Sequence, residues 1–156
     1  MSNDQTPREL GPTDPTAVER ARAVVERLRW VYVCDWAPEA LDEMEAAVLA
    51  LRRYAREGED GEAARHDAVL RLSHAMKGQA HTFGLDLLAD FAASIHAIAR
   101  AARRIGEREA DVVLAHILAM RTALSAAAND ADGLVHTGLE RDLRQNLRRI
   151  VRSTLN

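Results

Sequence analysis

Residues Leu72 to Gly84 read LSHAMKGQAHTFG, and how this stretch coils decides the fold. On a helical wheel at about 100° per residue, Val69, Leu72, Met76, Ala80 and Phe83 gather on one side as a stripe that wants burial. His74 points the opposite way. Lys77, Gly78 and His81 fall within about 60° of it, and Leu70 and Ala63 share the outward side. The pattern predicts a helix over about Glu62 to Phe83 that packs one face and displays the other. The displayed face carries an imidazole, a cation one turn on, and a position with no side chain. Gly84 is placed to close the helix as a left-handed cap.

The chain on either side has the same character. Asp14 followed by Pro15 reads as a capping carboxylate and a proline at the first helical position. The helix they open runs to about Val33, with Val18, Ala21, Val25, Leu28 and Tyr32 at helical spacing. Cys34 to Ala37 are read as a break, with Trp36 as a plug over one end of the core. Pro38 opens a helix to about Glu57 whose stripe is Leu41, Met44, Val48, Leu51 and Ala55. Its early turns are acidic and its last turn carries Arg52, Arg53 and Arg56, the charge order a helix dipole favours. Gly58 to Gly61 is a turn with Asp60 as a cap. After Gly84, helices are predicted from about Asp86 to Ile105, Glu109 to Ala128 and Gly138 to Leu155. Their inward residues are Leu88, Phe91, Ile95, Ala99 and Ala102, then Val113, Ile117, Met120, Leu124 and Ala127, then Leu139, Leu143, Leu147 and Ile150.

Short loops between helices of about 20 residues make neighbours antiparallel. The expected fold is all-α: an antiparallel up-and-down four-helix bundle, with an extra N-terminal covering helix and an additional C-terminal helix. Residues 1–13 are polar, hold Pro7, Gly11 and Pro12, and are expected to be a disordered tail. Residues 14–156 form one domain, with the core bundle at about 38–129.

Composition limits the function. The chain has 156 residues, 47% apolar but only 4% aromatic, which suits helix and starves a sheet of the residues it prefers. A net charge of −3 supplies no positive field for nucleic acid. Cys34 is the only cysteine, so no internal disulfide forms, and a reducing compartment fits. No stretch approaches 18 uninterrupted apolar residues, and no charged-then-apolar leader is visible. The expectation is a soluble cytoplasmic monomer with no membrane and no nucleic acid among its partners. His66, His96, His116 and His136 show no paired i, i+4 spacing, so no metal site is expected.

An imidazole titrates near neutral pH and is a good nucleophile, able to accept a phosphoryl group and pass it on. A phosphorylated ring would carry close to two negative charges. Lys77 is placed to balance them as a point cation. Gly78 would let a partner's backbone approach the ring. Glycine inside a helix costs about 1 kcal/mol relative to alanine, so access is the natural compensation. Leu70 and Ala63 offer a small apolar footing beside it.

HAMKGQAHTFG resembles the phosphorylation motif of histidine-containing phosphotransfer (HPt) domains: His, two residues, Lys-Gly, five residues, Gly. His74, Lys77, Gly78 and Gly84 match in register, and Ala80 fits the small residue often found there. Leu88, Phe91 and Ile95 match the apolar spacing that follows. The resemblance covers roughly Pro38 to Asn129. It implies a phosphorelay intermediate, a phosphoryl carrier and not an enzyme. Such a carrier takes phosphate on His74 from one receiver-domain aspartate and gives it to another. Its partners would be response-regulator receiver domains and a hybrid histidine kinase. No cofactor of its own is implied; Mg²⁺ would reside on the receiver. Gln79 stands where many members have serine, and its amide can still bond a phosphoryl oxygen. His81 occupies a position that is usually small or polar, and His96 one where an acidic residue is common.

Two other readings remain open. One is an interaction module that docks a receiver or kinase on its His74 face without accepting phosphate. Another is the dimerising phosphoacceptor bundle of a histidine kinase, against which stand Ala75, where that motif has an acidic residue, and the lack of an ATP-binding domain. A nucleic-acid-binding bundle fits neither the net charge nor the scarce aromatics. Arg141, Arg144, Arg148, Arg149 and Arg152 make the last helix basic, as a solvated face or as a surface for an acidic partner.

Overall fold

The computed structural model describes residues 15–57, 61–129 and 136–155, leaving the side chains of 54–57, 136–140 and 154–155 aside. The tail expected at 1–13, the caps expected of Asp14 and Asp60, and most of the turns at 58–61 and 129–133 lie outside these residues. Among the described residues six α-helices follow one another: α1 Pro15–Val31, α2 Ala37–Glu57, α3 Glu62–Thr82, α4 Asp86–Ala101, α5 Glu107–Asn129 and α6 His136–Leu155. No strand occurs among the described residues.

Helices α2 to α5 close a ring, α2 on α3, α3 on α4, α4 on α5 and α5 back on α2. Side chains fix the directions. Arg104, just past α4, reaches Glu62 at the start of α3 at 2.7 Å. Arg121, late in α5, holds Asp42 and Glu45 of early α2 at 2.6 and 2.7 Å. Arg52, late in α2, meets Asp111 of early α5 at 3.0 Å. Each bond joins the end of one helix to the beginning of another, so neighbours run antiparallel. The additional helix α6 packs on α5 and ties Arg144 to Asp90 of α4 at 2.6 Å.

The core is built from the predicted stripes. Leu41, Met44, Val48 and Leu51 of α2 meet Val69, Leu72, Met76 and Ala80 of α3. Leu88, Phe91, Ile95 and Ala99 of α4, and Val113, Ile117, Met120, Leu124 and Ala127 of α5, complete it. Burying a side chain of this size contributes about 1.5–3 kcal/mol, which is what holds α3 at a fixed rotation. α5 is long and apolar enough by composition to cross a membrane, and here that apolar surface forms bundle core. Of the α6 stripe, Leu147 is buried and Leu143 and Ile150 pack at its edge; Leu139 is outside the described side chains.

Three features differ from the sequence expectation. The break at Cys34 to Ala37 does not form. The chain continues from α1 into α2 through a π-helical turn at Tyr32–Trp36, closed by the Ala37 N–H on the Tyr32 carbonyl. A proline ring inside a regular helix collides with the carbonyl four residues earlier, and the wider turn before Pro38 moves that carbonyl aside. α4 stops at Ala101, because Ala102 turns to an extended conformation at φ −79°, ψ 123°, and Ile105 folds back to plug the bundle's end. Trp36 stacks on Tyr32 at 5.5 Å, and Tyr32 leans on Phe83 at 5.2 Å, capping the other end of the core.

The third difference is the covering helix. No residue of α1 is buried. Of its predicted stripe only Tyr32, already in the π-turn, reaches the core, while Val25 and Leu28 are half in water at 49% and 52%. Periodicity identified an apolar face correctly but could not say what lies against it. α1 packs against the π-helical turn that joins it to α2.

Candidate functional site

α3 owes its rigidity to the buried stripe on one side and to its C-terminus on the other. Gly84 adopts φ 68°, a conformation that glycine takes without the Cβ penalty other residues suffer. Its N–H bonds the His81 carbonyl at 3.1 Å, and the Leu85 N–H bonds Ala80 at 2.9 Å. This is the paired bonding of a Schellman cap. Gly84 thus shapes the α3–α4 turn at one end of the bundle, two to three turns from His74.

His74 sits on the outward face in mid-helix, exposed, with Lys77, Gly78, Gln79 and His81 exposed on the following turns. Ala63 is exposed and Leu70 half-buried on the preceding turns. Among the described residues neither ring nitrogen of His74 has a hydrogen-bond partner, so both are open to an incoming group. A Cβ added at Gly78 would meet nothing within 4 Å. Nothing inside the described chain therefore requires glycine there. His81 turns toward the start of α4, its Nδ1 3.5 Å from Asp86. Arg71, one turn before His74, is engaged by Glu43 of α2 at 2.9 Å.

The structure adds a residue that the sequence noted only as a departure. The ring of His96, on α4, lies 5.4 Å from that of His74, tilted by 47°. Its Nδ1 is 3.2 Å from the Leu70 carbonyl and 3.3 Å from Ser73 Oγ. The carbonyl only accepts, and the single proton of the buried Ser73 hydroxyl goes to the Val69 carbonyl at 2.7 Å. Nδ1 of His96 must therefore carry the proton. Its ring is pinned by that edge, and Nε2 is left without a partner among the described residues. A signal for this contact existed. With Gly84 as the pivot of an antiparallel pair, the residue ten before it faces one about twelve after it.

A second imidazole, His116, is buried in α5 with 2% exposure. Its Nδ1 donates to the Val112 carbonyl at 2.8 Å, and its Nε2 accepts from Ser94 Oγ at 2.9 Å. Burial holds its pKa below the usual value, opposed in part by the bond to Val112. It stands against Phe91, edge to face, and belongs to the core. Among the described residues no group of three or more His, Cys, Asp or Glu side chains is arranged to hold a metal ion.

Fold and site together define a class: a closed antiparallel helical bundle that displays one unengaged imidazole from the middle of a core helix. The family model for the Hpt domain matches residues 30–130, about two thirds of the chain, and the chain belongs to that family. Hpt domains are phosphocarriers of two-component signalling that act with receiver domains and histidine kinases. No curated protein and no solved structure matches the chain.

Proposed function

We propose that this chain is a phosphorelay intermediate, with His74 as the phosphoacceptor between two receiver domains. The observation that carries the reading is the display of His74: both nitrogens unengaged, on a helix locked by its buried stripe, beside a glycine that no internal contact demands.

In the reaction so read, a lone pair on the unprotonated Nε2 of His74 attacks the phosphorus of an aspartyl phosphate. The N–P bond forms as the P–O bond to the carboxylate breaks, and the aspartate leaves as a free carboxylate. The ring sheds the proton on its other nitrogen to water. Transfer onward reverses these steps with a second receiver aspartate. Lys77 balances phosphoryl charge from one turn away and Gln79 offers an amide donor. Gly78, Leu70, Ala63 and His81 form the surface a receiver would approach, and Gly84 holds the turn beyond it. A docked receiver would bring Mg²⁺ with it, and the chain's own contribution is position and charge.

Incubation with a phosphorylated receiver should move label onto the chain as an acid-labile, base-stable species. Lys77→Ala should slow the transfer about tenfold without abolishing it; an unchanged rate would make Lys77 a bystander. A complex that forms with the receiver but never labels would instead support a docking module.

A further inference from the structure

A neutral His74 can attack through Nε2 only when its one ring proton sits on Nδ1. An imidazole free in water carries that proton more often on Nε2, the nitrogen that has to attack. The balance is set by the hydrogen bond that the other nitrogen makes. A site that uses Nε2 of His74 therefore gains from an acceptor placed at Nδ1.

The side chains around His74 offer few acceptors. Lys77 and Arg71 only donate. Glu43, across on α2, is held by Arg71 at 2.9 Å, and Asp86 lies beside His81 at 3.5 Å. The Ser73 hydroxyl is buried under α3, with its proton on the Val69 carbonyl.

His96 is the exception. Its ring centre is 5.4 Å from that of His74. Its Nδ1–H is committed to the Leu70 carbonyl at 3.2 Å, so the neutral ring keeps its lone pair on Nε2. That nitrogen has no partner among the described residues. The ring is half-buried and tied to the backbone of α3, whereas His74 is exposed and free to turn. On a histidine Nδ1 is the nitrogen nearer the backbone and Nε2 the one at the tip. An acceptor held low against α3 reaches the nearer nitrogen and leaves the tip clear. An N–H···N bond of about 2.9 Å between the edges of two imidazoles sets their centres about 5 Å apart. The bond is open in the structure, and a turn of the His74 ring about its own side-chain bonds is enough to close it.

We propose that His96 is a positioning residue for His74: its Nε2 accepts the Nδ1–H of His74, holds that ring in the Nδ1–H tautomer and leaves Nε2 bare and outward for attack. The role in transfer rests on the reading of His74 as the phosphoacceptor; the pairing of the rings does not. The chemistry suits a neutral ring. It accepts a hydrogen bond without setting a negative charge beside an incoming phosphoryl group, as a carboxylate would.

Nitrogen-15 spectra of the full chain, at a pH where both imidazoles are neutral, test the pairing with no receiver present. His74 is expected mainly as the Nδ1–H tautomer. His96→Phe keeps a ring against α3 but has no lone pair, and His74 should then revert mainly to Nε2–H. His96→Gln puts back an acceptor in its amide oxygen and should return part of the Nδ1–H form. A parent His74 that is mainly Nε2–H overturns the proposal, and that spectrum decides even where a variant does not fold. An Nδ1–H form that survives His96→Phe overturns it as well. With a phosphorylated receiver, His96→Phe should slow the transfer step about two- to tenfold, following the loss of the competent tautomer, at unchanged receiver affinity. A change in affinity alone would overturn the role in transfer. A His74 that shows the Nδ1–H tautomer and never takes label would refute the phosphoacceptor reading and not the pairing.

Discussion

His96 faces His74 with ring centres 5.4 Å apart, and the Leu70 carbonyl and Ser73 hydroxyl hold its Nδ1 edge. The contact joins α3 to α4 directly beside the displayed imidazole. It also fixes which nitrogen of His96 carries hydrogen, since the Leu70 carbonyl can only accept and the Ser73 hydroxyl gives its proton to the Val69 carbonyl. Nitrogen-15 spectra of the imidazoles should show His96 as the Nδ1–H tautomer. A dominant Nε2–H form would contradict the hydrogen-bond assignment. His96→Ala removes a wall of the site and should slow phosphoryl transfer about two- to tenfold, with His96→Gln restoring part of the rate. Equal rates in all three proteins would leave His96 with a packing role only.

Gly78 offers a test that separates stability from access. Alanine there meets no atom within 4 Å, and it is the better helix former by about 0.5–1 kcal/mol. Gly78→Ala should therefore raise the unfolding midpoint in urea while lowering the rate of transfer with a receiver. A variant that transfers as fast as the parent would show that the receiver does not use the opening.

His116 gives the fold a pH dependence whose sign follows from burial. Its pKa is lowered in the folded chain, so near and below its ordinary value of 6.5 the unfolded chain binds a proton that the folded chain refuses. Its contribution to stability is present above that value and is lost as pH falls toward the lowered one. Urea midpoints measured from pH 8 to pH 5 should fall on the acid side. His116→Gln should flatten that fall, at some cost in midpoint throughout. An identical slope in the variant would assign the acid sensitivity to other groups.

Most of the bundle was legible because its helices are amphipathic and their stripes bury where the wheel puts them. Leu41, Met44 and Val48 meeting Met76 and Ala80 is the plain outcome of two apolar faces joined by a short turn. The displayed face of α3 could be read for the same reason: a stripe fixes a rotation, and the rotation sends His74 outward. Other features depend on what a one-dimensional pattern does not hold. The stripe of α1 has the spacing of an apolar face, yet no residue of that helix is buried against the bundle. Cys34 to Ala37 read as a break ahead of a helix opened by Pro38, because a regular helix cannot take the proline ring in its interior, and a single wider turn can. His96 came into view only with the pairing of α3 and α4, since it is 22 positions from His74 and follows the inward Ile95.

Phosphate label on the intact chain tests the central claim most directly. After incubation with a phosphorylated receiver domain, mass spectrometry should place one phosphoryl group on His74, and His74→Gln should remain unlabelled with unchanged helicity and melting. Label that persists in His74→Gln, or a His74→Gln chain that no longer folds, would contradict the account.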